Sequence, residues 1–89
     1  MATQTLKIIN EKGLHARASA KFVEVVEAFT AMAEVTKDGM TVSGDSIMGL
    51  LMLAASRGTT IEVSTSGEQA EALALALEAL VANRFGEDR

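Results

Sequence analysis

The chain contains one histidine, His15, and Arg17 follows it in the segment Gly13–Phe22, GLHARASAKF. A lone imidazole can act as a nucleophile, and a guanidinium beside it favours an anionic substrate. The alternation of apolar and polar residues before this segment changes here to the three- and four-residue spacing of a helix. We therefore expect His15 just before a helix begins. The first N–H groups of a helix have no partner within it and attract anions. A phosphoryl group on His15 would therefore meet the N–H groups of Ala16 and Arg17.

Other roles for this histidine must be weighed. A histidine before a helix is often an ordinary surface residue or a weak cap, and this feature alone does not separate the interpretations. A metal site is not expected, because a single histidine without a second nearby ligand cannot hold a metal ion. A Ser-His-Asp hydrolase is not favoured, because no nucleophile follows a strand in a sharp turn and the chain offers little room for a cleft.

Two segments that differ in the spacing of their apolar residues flank the histidine. The segment Thr3–Ile9 alternates loosely between apolar and polar residues, which predicts a half-buried strand. In Ala16–Thr30 apolar residues recur every three or four positions, while Glu24 and Glu27 lie on the opposite side. This second segment therefore predicts an amphipathic helix.

A hairpin is predicted in Ala31–Gly44. Asp38 and Gly39 are typical of a two-residue type I′ turn, because that turn requires positive φ at both positions. The register that this turn sets pairs Val35 with Val42, and both side chains are expected to face the helices.

The second half of the chain predicts a short helix, a strand and a longer helix. The short helix is expected to start at Asp45 or Ser46 and to end at Gly58. A strand follows in TTIEVST and a helix in SGEQAEALALALEALVANRF, where Ser66 and Gln69 resemble a capping box. The C-terminal GEDR is expected to be a frayed tail. The order is thus β-α-β-β-α-β-α, in one domain over residues 1–89.

Composition excludes several classes of protein. The formal net charge of −4 and the three aromatic residues, all phenylalanine, argue against nucleic-acid binding. The absence of cysteine excludes a disulfide scaffold and thiolate-held metals. No apolar run approaches the ~18 residues of a membrane-spanning helix, and the N-terminus lacks the pattern of a signal peptide. We therefore expect a soluble, cytoplasmic protein.

The segment Ile47–Ala55, IMGLLMLAA, is almost wholly apolar. A helix of this length buries about one stripe, for which Leu50, Leu53 and Ala54 suffice. Other loops of the chain could cover the remaining side chains, but contiguous exposed apolar residues usually mark a partner surface. The residues expected on that surface are Ile47, Met48, Leu51 and Met52.

The segments GLHARASAKFV and VSGDSIMGLLMLAA together resemble HPr, the histidine phosphocarrier family of the bacterial phosphoenolpyruvate-dependent phosphotransferase system. The similarity covers essentially the whole chain. It implies an α+β fold, an open-faced β-sandwich with a four-stranded antiparallel sheet of order 1-4-2-3 and three helices on one face. It also implies that His15 accepts phosphate on Nδ1 from phosphorylated Enzyme I, without a cofactor. An enzyme IIA-type protein would then take the phosphate, and Arg17 would neutralise it in transit.

The resemblance further implies a regulatory site and a docking face. Ser46 matches a serine that an HPr kinase/phosphorylase modifies in some lineages. A carrier that meets two partners with one face is expected to be a monomer. The alternative is a regulatory binding module that docks through the same face under control of Ser46, with His15 vestigial. The docking face would comprise Ala16, Ala20, Ile47, Met48, Gly49, Leu51 and Met52.

Three features depart from the family's pattern. Ala18 stands where proline is common, and we expect the helix to tolerate this change because alanine favours helix formation. Glu24 and Glu27 occupy a face that often carries lysines in sugar-transport members, which weakens steering toward an acidic acceptor. Asp45 beside Ser46 could hinder or mimic modification of that serine. Both a sugar-transport and a nitrogen-regulatory role stay open.

Overall fold

The polypeptide folds into one antiparallel sheet with helices packed against one of its faces. The structure is a computed structural model that describes all residues, 1–89. None of its helices is long and apolar enough to cross a membrane. The elements follow the predicted order, and they are β1 (Ala2–Lys7), α1 (Ala16–Glu27), β2 (Met32–Lys37), β3 (Met40–Ser43), α2 (Ile47–Met52), β4 (Thr60–Ser66) and α3 (Ala70–Ala82). A short turn with positive φ follows at Arg84–Gly86.

The sheet has the order β1-β4-β2-β3, and every neighbouring pair is antiparallel. Val35 at the middle of β2 pairs with Val42 of β3 and with Val63 of β4, as the hairpin prediction required for the first pair. Asp38 and Gly39 adopt φ values of 50° and 82°, which confirms the predicted turn. Both the predicted register and the predicted sheet order are therefore correct.

The core lies between the sheet and the helices. Alternate strand residues such as Val35 and Val63 are fully buried, and Phe22 of α1 is buried against them. Leu73 and Leu77 of α3 are also fully buried. Each such side chain contributes about 1.5–3 kcal/mol on burial.

Helix α2 is shorter than predicted. It ends at Met52, with Leu53 as its C-cap, instead of extending to Gly58. Ala54 takes a positive φ of 52°, which stops the helix and turns its own side chain toward solvent. The prediction that Ala54 belongs to the buried stripe is therefore wrong, and Ala55 is buried in its place.

The start of α3 and the end of α1 also differ from the predictions. Helix α1 ends at Glu27 instead of Thr30. The Ser66–Gln69 capping box does not form, because the Gln69 side chain makes no bond to its own helix end. Instead, its Oε1 accepts a hydrogen bond of 2.6 Å from the backbone N–H of Thr30. Gln69 thus connects α3 to the loop that follows α1.

Candidate functional site

His15 is the N-cap residue of α1. Its backbone is extended, with φ −80° and ψ −177°, and its carbonyl accepts a hydrogen bond of 2.8 Å from the Ser19 N–H. Its Nδ1 accepts a hydrogen bond of 3.2 Å from the backbone N–H of Arg17. The imidazole thus occupies the place that a serine or aspartate side chain usually takes at a helix start. The side chain is 27% exposed.

The loop before α1 is held close to the loop after α2. The Leu14 N–H donates a hydrogen bond of 2.9 Å to the Ala55 carbonyl. Gly13 has a φ of +67°, and a Cβ built on it would lie 2.6 Å from the Ala55 oxygen and 2.9 Å from Cα of Ser56. Only glycine fits both the backbone conformation and this close approach. The loop that carries His15 is therefore fixed by backbone contacts.

The two nitrogens of the His15 ring have different partners. Nδ1 accepts from a backbone N–H, so it must present a lone pair. Nε2 bonds a carboxylate oxygen of Glu87, which can only accept, so this nitrogen carries the proton. These partners assign the neutral ring to the Nε2–H tautomer. Nδ1 is therefore the ring nitrogen that presents a lone pair.

Glu87 is the site residue that the sequence predictions missed. Its Oε1 accepts a hydrogen bond of 3.0 Å from Nδ2 of the buried Asn10, and its Oε2 bonds His15. The hydrogen bond from Asn10 lowers the pKa of Glu87, with further lowering by the hydrogen bond and charge of His15 and the charge of Lys12, against an opposing effect of desolvation. The expectation of a frayed tail is wrong for this residue. The one available signal was Phe85, an apolar residue within a polar C-terminus.

The surroundings of His15 suit an anion. The Arg17 side chain is exposed and forms no ion pair with a carboxylate of the chain. The N–H groups of Ala16 and Ala18 donate to no other group of the chain. An open depression of about 520 Å³, which the His15 ring itself does not line, is bounded by four basic and three acidic residues together with Gly86. The charged residues are Lys12, Arg17, Lys21, Arg89, Glu11, Glu87 and Asp88.

Ser46 is the N-cap residue of α2. Its Oγ accepts a hydrogen bond of 3.0 Å from the Gly49 N–H, and the residue is half-buried. Of the two predicted caps, Ser46 and not Asp45 takes this role. A Cβ built on Gly49 would lie 3.0 Å from Cβ of Val42, so the glycine allows α2 to lie close to β3.

The predicted apolar surface is present on α2. Met48 and Met52 have exposed fractions of 71% and 65%, and Ile47 and Leu51 are exposed at 40% and 36%. We call these four residues the α2 patch. Helix α2 packs against α1, where Ala16 is exposed and Ala20 is half-buried. The fold therefore places the α2 patch on the helix neighbouring the one that His15 caps.

Comparison with known proteins identifies the family. Residues 2–83 match the family model described as the PTS HPr component phosphorylation site. The chain is 50% identical to the phosphocarrier protein HPr of Neisseria meningitidis over 88 residues, which is 98% of each chain, and 43% identical to that of Pseudomonas aeruginosa, again over 98% of each. An HPr crystal structure from Thermoanaerobacter tengcongensis superposes with a TM-score of 0.95 over 100% of both chains, at 37% identity. The chain therefore belongs to the HPr family, the phosphocarriers of the phosphotransferase system.

Proposed function

We propose that the chain carries its phosphoryl group on Nδ1 of His15. The observation that carries this proposal is the Nδ1 lone pair at the N-terminus of α1, within hydrogen-bond distance of the Arg17 N–H. The same N–H can turn to a phosphoryl oxygen once Nδ1 is occupied, and the helix dipole favours the negative charge there. The free Arg17 guanidinium lies on the same turn and supplies a charge-assisted partner for that oxygen.

The transfer is a displacement at phosphorus. The lone pair of Nδ1 attacks the phosphorus of a phosphohistidine on the donor while the donor's P–N bond breaks, and its electron pair returns to the donor ring. The proton on Nε2 stays in place. Delivery to the acceptor reverses these roles. Beyond the bond that Nδ1 forms to phosphorus, the protein forms and breaks no bonds. Its other contribution is to position the reacting groups and neutralise their charge.

The partners that we propose are a phosphorylated Enzyme I as donor and an enzyme IIA-type protein as acceptor. In-line transfer between two rings requires the partners to be oriented, and the α2 patch beside α1 offers an exposed apolar surface for docking. One surface must serve both partners in turn, which favours a monomer. We also propose a cytoplasmic location. One relative from Thermoanaerobacter tengcongensis, 38% identical, was crystallised as a dimer. Light scattering of the purified chain measures its oligomeric state directly.

We propose Ser46 as a regulatory phosphorylation site. Its Oγ lies at the start of α2, directly before Ile47 and Met48 of the patch. A phosphoserine would add nearly two negative charges beside this apolar surface and oppose docking. Ser46→Asp should then slow phosphorylation of the chain by the donor, whereas Ser46→Thr, which keeps a hydroxyl cap, should not. Equal rates for the two variants would exclude this regulatory role.

The test of the carrier function uses phosphoenolpyruvate, a cognate Enzyme I and this chain. The label should be stable in base and labile in acid, as expected for phosphohistidine, and His15→Ala should lose it. Because His15 is the only histidine, such a label can lie nowhere else on a histidine. Arg17→Ala should still be labelled, but more slowly. Labelling of His15→Ala at the rate of the unaltered chain would overturn the proposal.

A further inference from the structure

The carboxylate of Glu87 bridges His15 and the buried Asn10. One oxygen bonds Nε2 of the ring and the other accepts from Nδ2 of Asn10 at 3.0 Å. Asn10 itself is fully buried, and its Nδ2 also donates to the Gly13 carbonyl at 2.8 Å. The amide that orients Glu87 is therefore tied to the loop that carries His15. Hydrogen bonds thus connect the carboxylate both to the ring and to the loop that carries the ring.

The backbone that carries Glu87 is held in an unusual conformation. Arg84, Phe85 and Gly86 have φ values of 54°, 55° and 79°, all in the left-handed region. Two of these residues have a Cβ, so the turn costs free energy and persists only because its surroundings hold it. Phe85 is fully buried, and its carbonyl accepts a hydrogen bond of 2.6 Å from Nζ of Lys21 on α1. The turn thus delivers Glu87 to the ring from an anchored segment.

We propose that Glu87 is a positioning residue for phosphoryl transfer at His15. Its carboxylate accepts the Nε2–H, which fixes the tautomer and the rotation of the ring and leaves the Nδ1 lone pair in line with the N-terminus of α1. Asn10 holds the carboxylate in turn. This role deepens the carrier function proposed above and rests on it.

The contact between Glu87 and His15 also balances a positive charge that arises on the ring during the transfer. When Nδ1 bonds phosphorus while Nε2 keeps its proton, the ring becomes formally cationic. The carboxylate of Glu87 lies against that ring and balances the charge. When the P–Nδ1 bond breaks, its electron pair returns to Nδ1 and the ring leaves as neutral imidazole. Loss of the Nε2 proton would instead require an imidazolate leaving group, which is far poorer.

The test compares Glu87→Ala and Glu87→Gln with the unaltered chain. Asp88→Asn serves as the matched control, because it removes a neighbouring carboxylate that lines the same depression but bonds no side chain. The ¹⁵N and ¹H signals of the His15 ring report the tautomer and the Nε2–H hydrogen bond without any partner protein. In the unaltered chain and in Asp88→Asn, Nε2 should carry a proton protected from exchange. Glu87→Ala should lose that protection.

The second measurement is the transfer rate from phosphorylated chain to acceptor. Glu87→Ala should lower it by about tenfold, by analogy with the effect of removing the carboxylate that orients a metal-ligating histidine. Glu87→Gln, whose amide oxygen still accepts from Nε2–H, should recover part of the loss. Ring signals and a rate for Glu87→Ala equal to those of Asp88→Asn would overturn the proposal. A label that does not require His15 would instead refute the carrier function, while the ring signals would still test the contact.

Discussion

His15 and Glu87, which are 72 positions apart in the chain, bond each other through Nε2 of the imidazole and Oε2 of the carboxylate. The N-terminal loop supplies the ring and the C-terminal turn supplies its partner. The backbone N–H of Arg17 bonds the other nitrogen, so both ring nitrogens are engaged. The proposed site of phosphoryl transfer is thus built from the loop before α1 and from the turn that carries Glu87, and changes in either segment should affect it.

The first prediction concerns pH. Hydrogen bonding from Asn10 and the contact with His15 hold the pKa of Glu87 below its ordinary value of 4.5. A carboxyl group with a lowered folded-state pKa stabilises the fold fully above its unfolded value and loses this effect as the pH falls through the folded value. At neutral pH the unaltered chain should therefore be more stable than Glu87→Gln. The difference should shrink as the pH falls below about 4.5.

Urea denaturation of the two proteins across this pH range measures the difference. Asp88→Asn is the control, since Asp88 bonds no other side chain. A difference between the unaltered chain and Glu87→Gln that stays constant down to the most acidic pH would show that the carboxylate contact does not stabilise the fold.

A second prediction concerns Phe85, the anchor of the C-terminal turn. Its side chain is fully buried, so Phe85→Ala should lower the free energy of unfolding by about 3–5 kcal/mol. Leu75→Ala is the control, because Leu75 has an exposed fraction of 67% and should change stability by less than about 0.5 kcal/mol.

The anchor should also matter for the ring. Once Phe85 is removed, the turn has less to hold its left-handed backbone, and Glu87 should leave His15. Phe85→Leu retains much of the buried volume and serves where the alanine variant is too unstable to study. Protection of the Nε2–H proton should fall in the order unaltered chain, Phe85→Leu, Phe85→Ala. Unchanged protection in the alanine variant would mean that Glu87 reaches the ring without the anchor.

Local patterns in the sequence predicted most of the fold but only one side of the site. The turn at Asp38 and Gly39 determines the register of β2 and β3 through local backbone preference, so it could be predicted. The position of His15 at a helix start follows from a change of period. Glu87 could not be predicted, because its contact depends on a left-handed turn at Arg84 and Phe85 that no propensity favours.

The errors around α2 and α3 have the same physical origin. Helix propensity favours continuing α2 through Ala54 and Ala55, yet burial of Leu53 and Ala55 in the core ends it early. Gln69 has a local capping role available, but it bonds the Thr30 N–H on a distant loop instead. In both cases a tertiary contact outweighs a local preference of a few tenths to about 1 kcal/mol.

A third prediction tests the close approach at Gly13. Gly13→Ala must adopt a φ of +67° and place its Cβ 2.6 Å from the Ala55 oxygen. Gly39→Ala is the matched control, because Gly39 also has a positive φ, +82°, but a Cβ there meets nothing within 4 Å. Gly39→Ala should lower the free energy of unfolding by about 1–2 kcal/mol, because alanine is strained at a positive φ. Gly13→Ala should lower it by at least about 1 kcal/mol more.

Denaturation gives both free energies of unfolding, and the labelling assay reports the effect on His15. Because Ala55 and Ser56 are backbone contacts, the loop itself must shift to admit the Cβ, which should move the ring and slow phosphorylation. Gly39 lies at the far end of the hairpin, so Gly39→Ala should be phosphorylated normally. Equal losses of unfolding free energy and equal phosphorylation rates for the two variants would rule out a steric role for Gly13.

The final prediction separates the α2 patch from apolar exposure in general. Met48 and Leu75 are similarly exposed, at 71% and 67%, but Met48 lies on α2 beside α1 and Leu75 lies on α3. If the α2 patch docks the donor, a charge at its centre should be buried without a partner in the complex. Met48→Glu should then raise the KM for phosphorylated Enzyme I by about tenfold, equivalent to about 1.4 kcal/mol.

Leu75→Glu introduces the same charge at a similarly exposed position and should leave that KM unchanged. Both substitutions replace side chains that the core does not hold, so both proteins should unfold at nearly the same urea concentration as the unaltered chain. The kcat should change less than the KM for Met48→Glu, because a surface that only docks the partner does not touch phosphorus. Equal effects of the two charges would indicate a general electrostatic cause and remove the assignment of the α2 patch as the docking face.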